Sequence, residues 1–178
     1  MTLEKLKFPI GKFEVAKEIS ATDLECYIMD LDTFPIRLQK EVAHLSDEQL
    51  DTPYRTEGWT IRQVVNHCAD SHMNSFIRFK LALTEDTPTI KPYYEDRWAE
   101  LSDSKNMPID PALKMIAGIH DRWTFLIKSL VKEQLQRTFI HPEHGREFRL
   151  DEIIAMYAWH SNHHLAHITV LKQNKGWE

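Results

Sequence analysis

From Asp151 to Gly176, apolar side chains recur at helical spacing (Ile153, Tyr157, Ile168, Leu171), and His160 and His164 fill the two middle places of the stripe. This is the period of an α-helix with one buried face, and Gly176 is a natural stop. Residues four apart on a helix stand one above the other, so both imidazoles aim at one point in the core this helix joins. Leucine there would add apolar burial, whereas histidine leaves ring nitrogens to be satisfied. A metal ion satisfies them if a facing helix brings a third imidazole and a position stays open for water or substrate. The bland alternative is a partly solvated polar face. His163 and His167 form another pair four apart, rotated to the flank of the stripe, where they serve as supporting or surface residues.

Three more helices are expected upstream. One runs from about Asp23 to Leu45 along Leu24, Ile28, Leu31, Leu38 and Val42, with a kink or break at Pro35. A second opens at Thr60, in a capping box with Gln63, and reaches about Leu83. A third takes Asp110 and Pro111 as N-cap and first residue and follows Leu113, Ile116, His120, Trp123, Ile127 and Leu130 to about Lys132. The first twenty residues form an extended lead-in, and Phe139 to Leu150, with Pro142 and Gly145, a small hairpin. The expected fold is all-α, a four-helix bundle in a single domain over residues 1–178. Only the segment Thr84–Pro108 is long enough to join parallel neighbours, which gives an up-down-down-up order with a crossover between the second and third helices.

Bulk properties exclude several classes. A net charge of -5 and no Lys/Arg cluster leave no footprint for nucleic acid. No apolar run approaches membrane-spanning length and no signal-peptide core is seen, so a cytoplasmic protein without a membrane partner is expected. Cys26 and Cys68 are far apart and read as reduced thiols. None of the five glycines builds a phosphate-cradling loop.

His67 lies on a polar face of the second helix with Gln63, Asp70, Ser71, Asn74 and Arg78, opposite an arc of Ile61, Val65, Cys68, Phe76 and Phe79. That face meets either solvent or a wet cavity across from His160 and His164. His120, in the core stripe of the third helix, is a candidate fourth ligand or base, whereas His44, His72, His141 and His144 have no supporting pattern. Ser161 after His160 rules out the His-Glu-x-x-His arrangement with its built-in base, and paired Glu-x-x-His motifs are absent.

Gly58-Trp59-Thr60-Ile61-Arg62-Gln63, with His67 and Asp70-Ser71, resembles the opening signature of the DinB/YfiT superfamily. Trp159-His160, His163-His164 and His167 resemble its closing signature, and the likeness extends through the Ile90–Tyr93 loop and His141-Pro142 to Gly176-Trp177. The resemblance implies an up-down-down-up bundle and one divalent ion per chain, Zn²⁺ or Ni²⁺, on His67, His160 and His164. It also implies a homodimer, and a metal-dependent hydrolase or a thiol S-transferase of the kind that uses mycothiol, glutathione or bacillithiol. Many superfamily members carry Gln where this chain has His167, so no role for His167 follows.

The expected activity is transfer of a small-molecule thiol, of the bacillithiol type, to an electrophilic substrate. The alternatives are hydrolysis by metal-bound hydroxide and a non-catalytic, metal-binding stress-response module. Asp70, His120 and His167 are the candidate acid–base groups, and Asn74, Arg78, Tyr93 and Arg97 the candidate substrate contacts, with Tyr94 and Trp98 bordering the cavity.

Overall fold

The computed structural model describes residues 2–14, 16 and 18–177. In chain order they form α1 (Leu3–Lys7), α2 (Ala21–Val42), α3 (Asp47–Leu50), α4 (Ile61–Thr84), α5 (Glu95–Trp98), α6 (Ser102–Asn106), α7 (Asp110–Lys128), α8 (Lys132–Leu135), β1 (Thr138–His141), β2 (Arg146–Arg149) and α9 (Leu150–Lys175). The lead-in is thus not wholly extended: Thr2 caps the short α1 by accepting from the backbone of Lys5.

Local chemistry sets the helix ends. Ser20 with Asp23 starts α2, and Thr60 with Gln63 starts α4, each by a reciprocal capping box that satisfies otherwise orphaned N–H groups. α7 begins at Asp110 itself, with Ile109 as cap, and stops at Lys128, short of the expected Lys132. There the Ser129 hydroxyl donates to the Leu126 carbonyl at 2.7 Å. α9 ends at Gly176, whose φ of +66° is the left-handed cap that glycine adopts without a Cβ penalty.

Pro35 neither breaks nor ends α2, which runs on to Val42. Proline has no N–H, so the Leu31 carbonyl, one turn back, loses its intrahelical donor. His120 Nδ1 of α7 occupies that carbonyl at 2.6 Å.

α2 packs against α7 and α9, and α4 against the same two helices, so α2 and α4 lie across one diagonal of the bundle and α7 and α9 across the other, while the consecutive helices α4 and α7 are neighbours. Asn162 bonds Asp30 and Lys172 bonds Glu41, which makes α2 and α9 parallel. His67 meets His160 while Ser71 meets Tyr157, so α4 and α9 are antiparallel. Arg62 reaches the Met107 carbonyl just before α7, and His72 meets His120, so α4 and α7 are parallel. The order is up-down-down-up.

The crossover therefore travels the length of the bundle. At one end the Ile90 N–H donates to Ile140 of β1. At the other the Gln63 amide donates to Ala99, and the buried Arg62 guanidinium ties Asp47, Asp51 and Met107 together. Two apolar clusters fill the bundle. One is built on Phe34, Leu38, Ile61 and Ile116, and the other on Leu31, Phe79, Trp123 and Ile153. Each such side chain contributes about 1.5–3 kcal/mol by burial. A layer of histidines lies between the clusters. Cys68 is buried in the first, Cys26 is exposed, and both are free thiols. No helix among the described residues is long and apolar enough to cross a membrane.

Candidate metal centre

α4 contributes His67, and α9 contributes His160 and His164 from successive turns. The Nε2 atoms of His67 and His160 are 3.2 Å apart, and the His164 ring centroid lies 4.4 Å from that of His160 and 4.8 Å from that of His67. One nitrogen from each ring falls within 4.8 Å of the others. Two nitrogens on a tetrahedral ion with bonds of 2.0–2.1 Å stand about 3.3 Å apart, so the closest pair already has the spacing of a tetrahedral edge. Burial, with the neighbouring His163, pushes the His67 pKa down to about 4, and burial drives His160 and His164 well below their ordinary value. All three are neutral at pH 7, the form that ligates.

A second triad, His163, His164 and His167, also brings ring nitrogens within 4.8 Å, and the Nδ1 atoms of all three are buried without partners. The two triads share His164, and one neutral imidazole has one lone pair to give. His167 donates its Nε2–H to the Lys7 carbonyl at 3.1 Å with Tyr54 stacked on its ring at 3.9 Å, which leaves Nδ1 bare, but it lies outside the cavity lining that His67, His160 and His164 share. His160, in the first triad, has its other nitrogen paired: Nδ1 is 3.1 Å from His72 Nε2. The first triad is the better fit to a cation.

These three rings form part of the wall of a cavity of about 470 Å³ enclosed by α4, α9, the crossover and the hairpin. Ser71, Tyr93 and Tyr157 bring hydroxyls to it, and Phe139, Phe148, Ile153 and Met156 bring apolar surface. Tyr157 donates to the Ser71 carbonyl at 3.2 Å. Burial pushes the Tyr93 phenol up, with the Ser71 hydroxyl opposing, so it remains a donor at neutral pH. Arg78 lines the same cavity; its Nε is buried without a partner, and its Nη2 lies 3.4 Å from the Lys91 carbonyl.

The other sequence candidates fall in different places. Asp70 is half-buried on α4 and outside the cavity lining; burial, then Asp103, raises its pKa to about 6. Asn74 also lies outside, its amide donating to the Asp70 carbonyl on its own helix. Tyr93 lines the cavity, but Tyr94, Arg97 and Trp98 do not. The single turn of α5 packs Trp98 against Tyr93 and turns Arg97 outward over the exposed Tyr94 ring at 4.4 Å. His120 is not at the ligand cluster but sits behind it, 2.6 Å from His72. His72, His141 and His144, without a pattern of their own in the sequence, are respectively fully buried beside His160 and on the cavity wall. His72 had one legible signal: it continues the apolar arc between Cys68 and Phe76.

Fold and site together define an up-down-down-up four-helix bundle with a histidine-walled cavity. The chain belongs to the DinB superfamily, whose family model matches residues 30–168. Relatives from Bacillus cereus and Bacillus thuringiensis subsp. konkukian are each 50% identical over 175 residues, covering 98% of this chain and 100% of theirs. Both carry the name "putative metal-dependent hydrolase". The solved structure of YfiT from Bacillus subtilis, reported as a probable metal-dependent hydrolase with an unusual four-helix bundle topology, superposes with a TM-score of 0.95. It is 46% identical, over 98% of this chain and 99% of that one.

Proposed function

We propose that this protein is an enzyme that binds one divalent ion, zinc or nickel, at His67, His160 and His164 and uses it to activate a small thiol for transfer to an electrophile. The observation that carries this is the meeting of three neutral imidazoles on the wall of a 470 Å³ cavity. A divalent ion there supplies Lewis acidity and lowers the pKa of whatever small nucleophile enters its open position. The chain's own residues do the rest. Burial keeps the ligand rings neutral and their lone pairs available. Tyr93 and Ser71 offer hydroxyl donors to a polar atom of the substrate, while Phe139, Phe148, Ile153 and Met156 exclude water from the opposite wall. Arg78, which has no carboxylate within ion-pair distance among the described residues, is free to take an anionic group.

The residue after His160 favours a thiol over water. Ser161 is buried and donates its hydroxyl to the Tyr157 carbonyl at 2.7 Å, so the position next to His160 holds no carboxylate to take a proton from water, and the carboxylates that line the cavity, Glu95 and Glu143, come from the crossover and the hairpin. A thiol, already more acidic, needs less help. Hydrolysis is the second reading, favoured by the names of the relatives.

Elemental analysis of the untagged protein, followed by thiol consumption against monochlorobimane and turnover of an ester and amide panel, tests both. The expected result is one ion per chain and metal-dependent consumption of a carboxylate-bearing thiol such as bacillithiol. Arg78→Ala should then raise KM about tenfold with metal content unchanged, the scale of one lost charge-assisted hydrogen bond. Metal-dependent hydrolysis without thiol consumption selects the second reading. No metal at all overturns both.

A further inference from the structure

His72 and His120 occupy core positions, 0% and 1% exposed, where apolar side chains would pack without needing hydrogen bonds. The structure pairs every nitrogen of both rings. His160 Nδ1 lies 3.1 Å from His72 Nε2, His72 Nδ1 lies 2.6 Å from His120 Nε2, and His120 Nδ1 lies 2.6 Å from the Leu31 carbonyl. The run takes one group from each long helix: α9, α4, α7 and α2.

Its polarity follows from its last member. A carbonyl oxygen can only accept, so His120 carries its proton on Nδ1. A neutral ring has one N–H, so His120 Nε2 is bare and must accept from His72 Nδ1–H. His72 Nε2 is then bare and accepts from His160 Nδ1–H. This leaves the lone pair of His160 on Nε2, the atom 3.2 Å from His67 Nε2. The terminal carbonyl is available because of Pro35, which cannot supply the N–H that Leu31 would otherwise receive.

We propose that His72 and His120 are positioning residues that, anchored on the Leu31 carbonyl, fix His160 in the tautomer and ring orientation that presents Nε2 to a metal ion. This rests on the metal site proposed above. Histidine ligands commonly donate their second N–H to a carboxylate, carbonyl or water. Here the carbonyl is reached through two further imidazoles. A purely space-filling role for His72 and His120 would be indifferent to which nitrogen of His160 carries the proton.

The first test needs no metal. Long-range ¹H–¹⁵N correlation spectra of the metal-free wild-type protein, labelled at histidine, report the tautomer of each ring at pH 7.5. His160, His72 and His120 should all carry the proton on Nδ1. Finding His160 protonated on Nε2 overturns the proposal, and this result stands whether or not the metal reading survives.

The second test uses His72→Phe, which keeps the ring volume but removes the acceptor, and His72→Gln, whose side-chain oxygen can accept from His160. Zinc affinity, read by competition with a chelator, should fall 10–100-fold in His72→Phe and recover in part in His72→Gln. Undiminished zinc affinity in a folded His72→Phe overturns the proposal. Should that variant fail to fold, the wild-type tautomers decide. If wild-type protein binds no zinc while the three rings carry Nδ1–H, the metal reading fails and the tautomer lock remains.

Discussion

His164 and His167 stand less than a full turn apart on α9 with ring centroids 5.3 Å apart, yet only His164 also faces His67, at 4.8 Å. His167 is turned toward the N-terminal segment, where it bonds the Lys7 carbonyl. The two triads that share His164 are therefore unequal, and single substitutions separate them. His67→Ala, His160→Ala and His164→Ala should each lose more metal affinity than the 10–100-fold typical of a supporting residue. His163→Ala and His167→Ala should keep metal in full. Retained metal in His160→Ala, with loss in His163→Ala, would move the ion to the second triad.

Much of this was legible in the sequence because it depends on local rules. The capping box at Thr60, the apolar periods and Gly176 act within a few residues, and a crossover as long as Thr84–Pro108 permits a parallel pair. The equally local box of Ser20 with Asp23 went unread, and α2 starts at Ala21 instead of Asp23. What escaped depends on the register between helices. His72 was set aside because its partners, His120 and His160, lie 48 and 88 residues away. Pro35 signalled a kink or a break, since nothing local shows that a histidine from α7 would fill the vacated carbonyl. Arg97 was placed at the cavity from its neighbours' chemistry, but the single turn of α5 rotates it to solvent.

Pro35→Ala tests the coupling between α2 and the histidine layer. Replacing an interior helix proline commonly recovers up to about 3 kcal/mol. Here the new N–H competes with His120 for the Leu31 carbonyl, and a buried ring N–H left unpaired costs about 1–3 kcal/mol. The net gain in urea-unfolding free energy should therefore fall to about 0–2 kcal/mol, whereas a gain of the full amount would mean that His120 does not depend on that carbonyl.

Asp70 gives a stability prediction of the opposite sign to an ordinary surface carboxylate. Its folded pKa is raised to about 6, first by burial and then by Asp103. A raised pKa favours the folded state below the unfolded value near 3.8 and loses that contribution as pH rises through about 6. Asp70→Asn should accordingly melt higher than wild type at pH 7.5, with the gap closing toward pH 4. Solvent screening of this half-exposed group keeps the gain modest. A variant that melts lower at pH 7.5 would show that the ionised carboxylate is stabilising.

Acid should unfold the metal-free protein before its carboxylates titrate. Burial is the main reason that His120 stays neutral in the folded chain down to about 4 and His167 down to about 3. For His120 the Leu31 carbonyl, Asp121 and Asp32 pull the other way, as the Lys7 carbonyl does for His167, but burial wins. Unfolded, both rings titrate near 6.5, so the unfolded chain binds more protons across the window between. Stability is then whole above about 6.5 and falls as pH drops toward the folded values, by up to about 1.4 kcal/mol per pH unit for each ring. His67 and His163, both near 4, act in the same direction. Against a total of about 5–15 kcal/mol for a domain, a few such groups suffice to unfold it by about pH 4.5. Urea midpoints of the metal-free protein at pH 7.5, 6 and 5 should decline steadily. A profile that stays level to pH 5 and drops only below about 4 would assign acid unfolding to carboxylates instead, and the buried histidines would not be the acid-labile layer of the bundle.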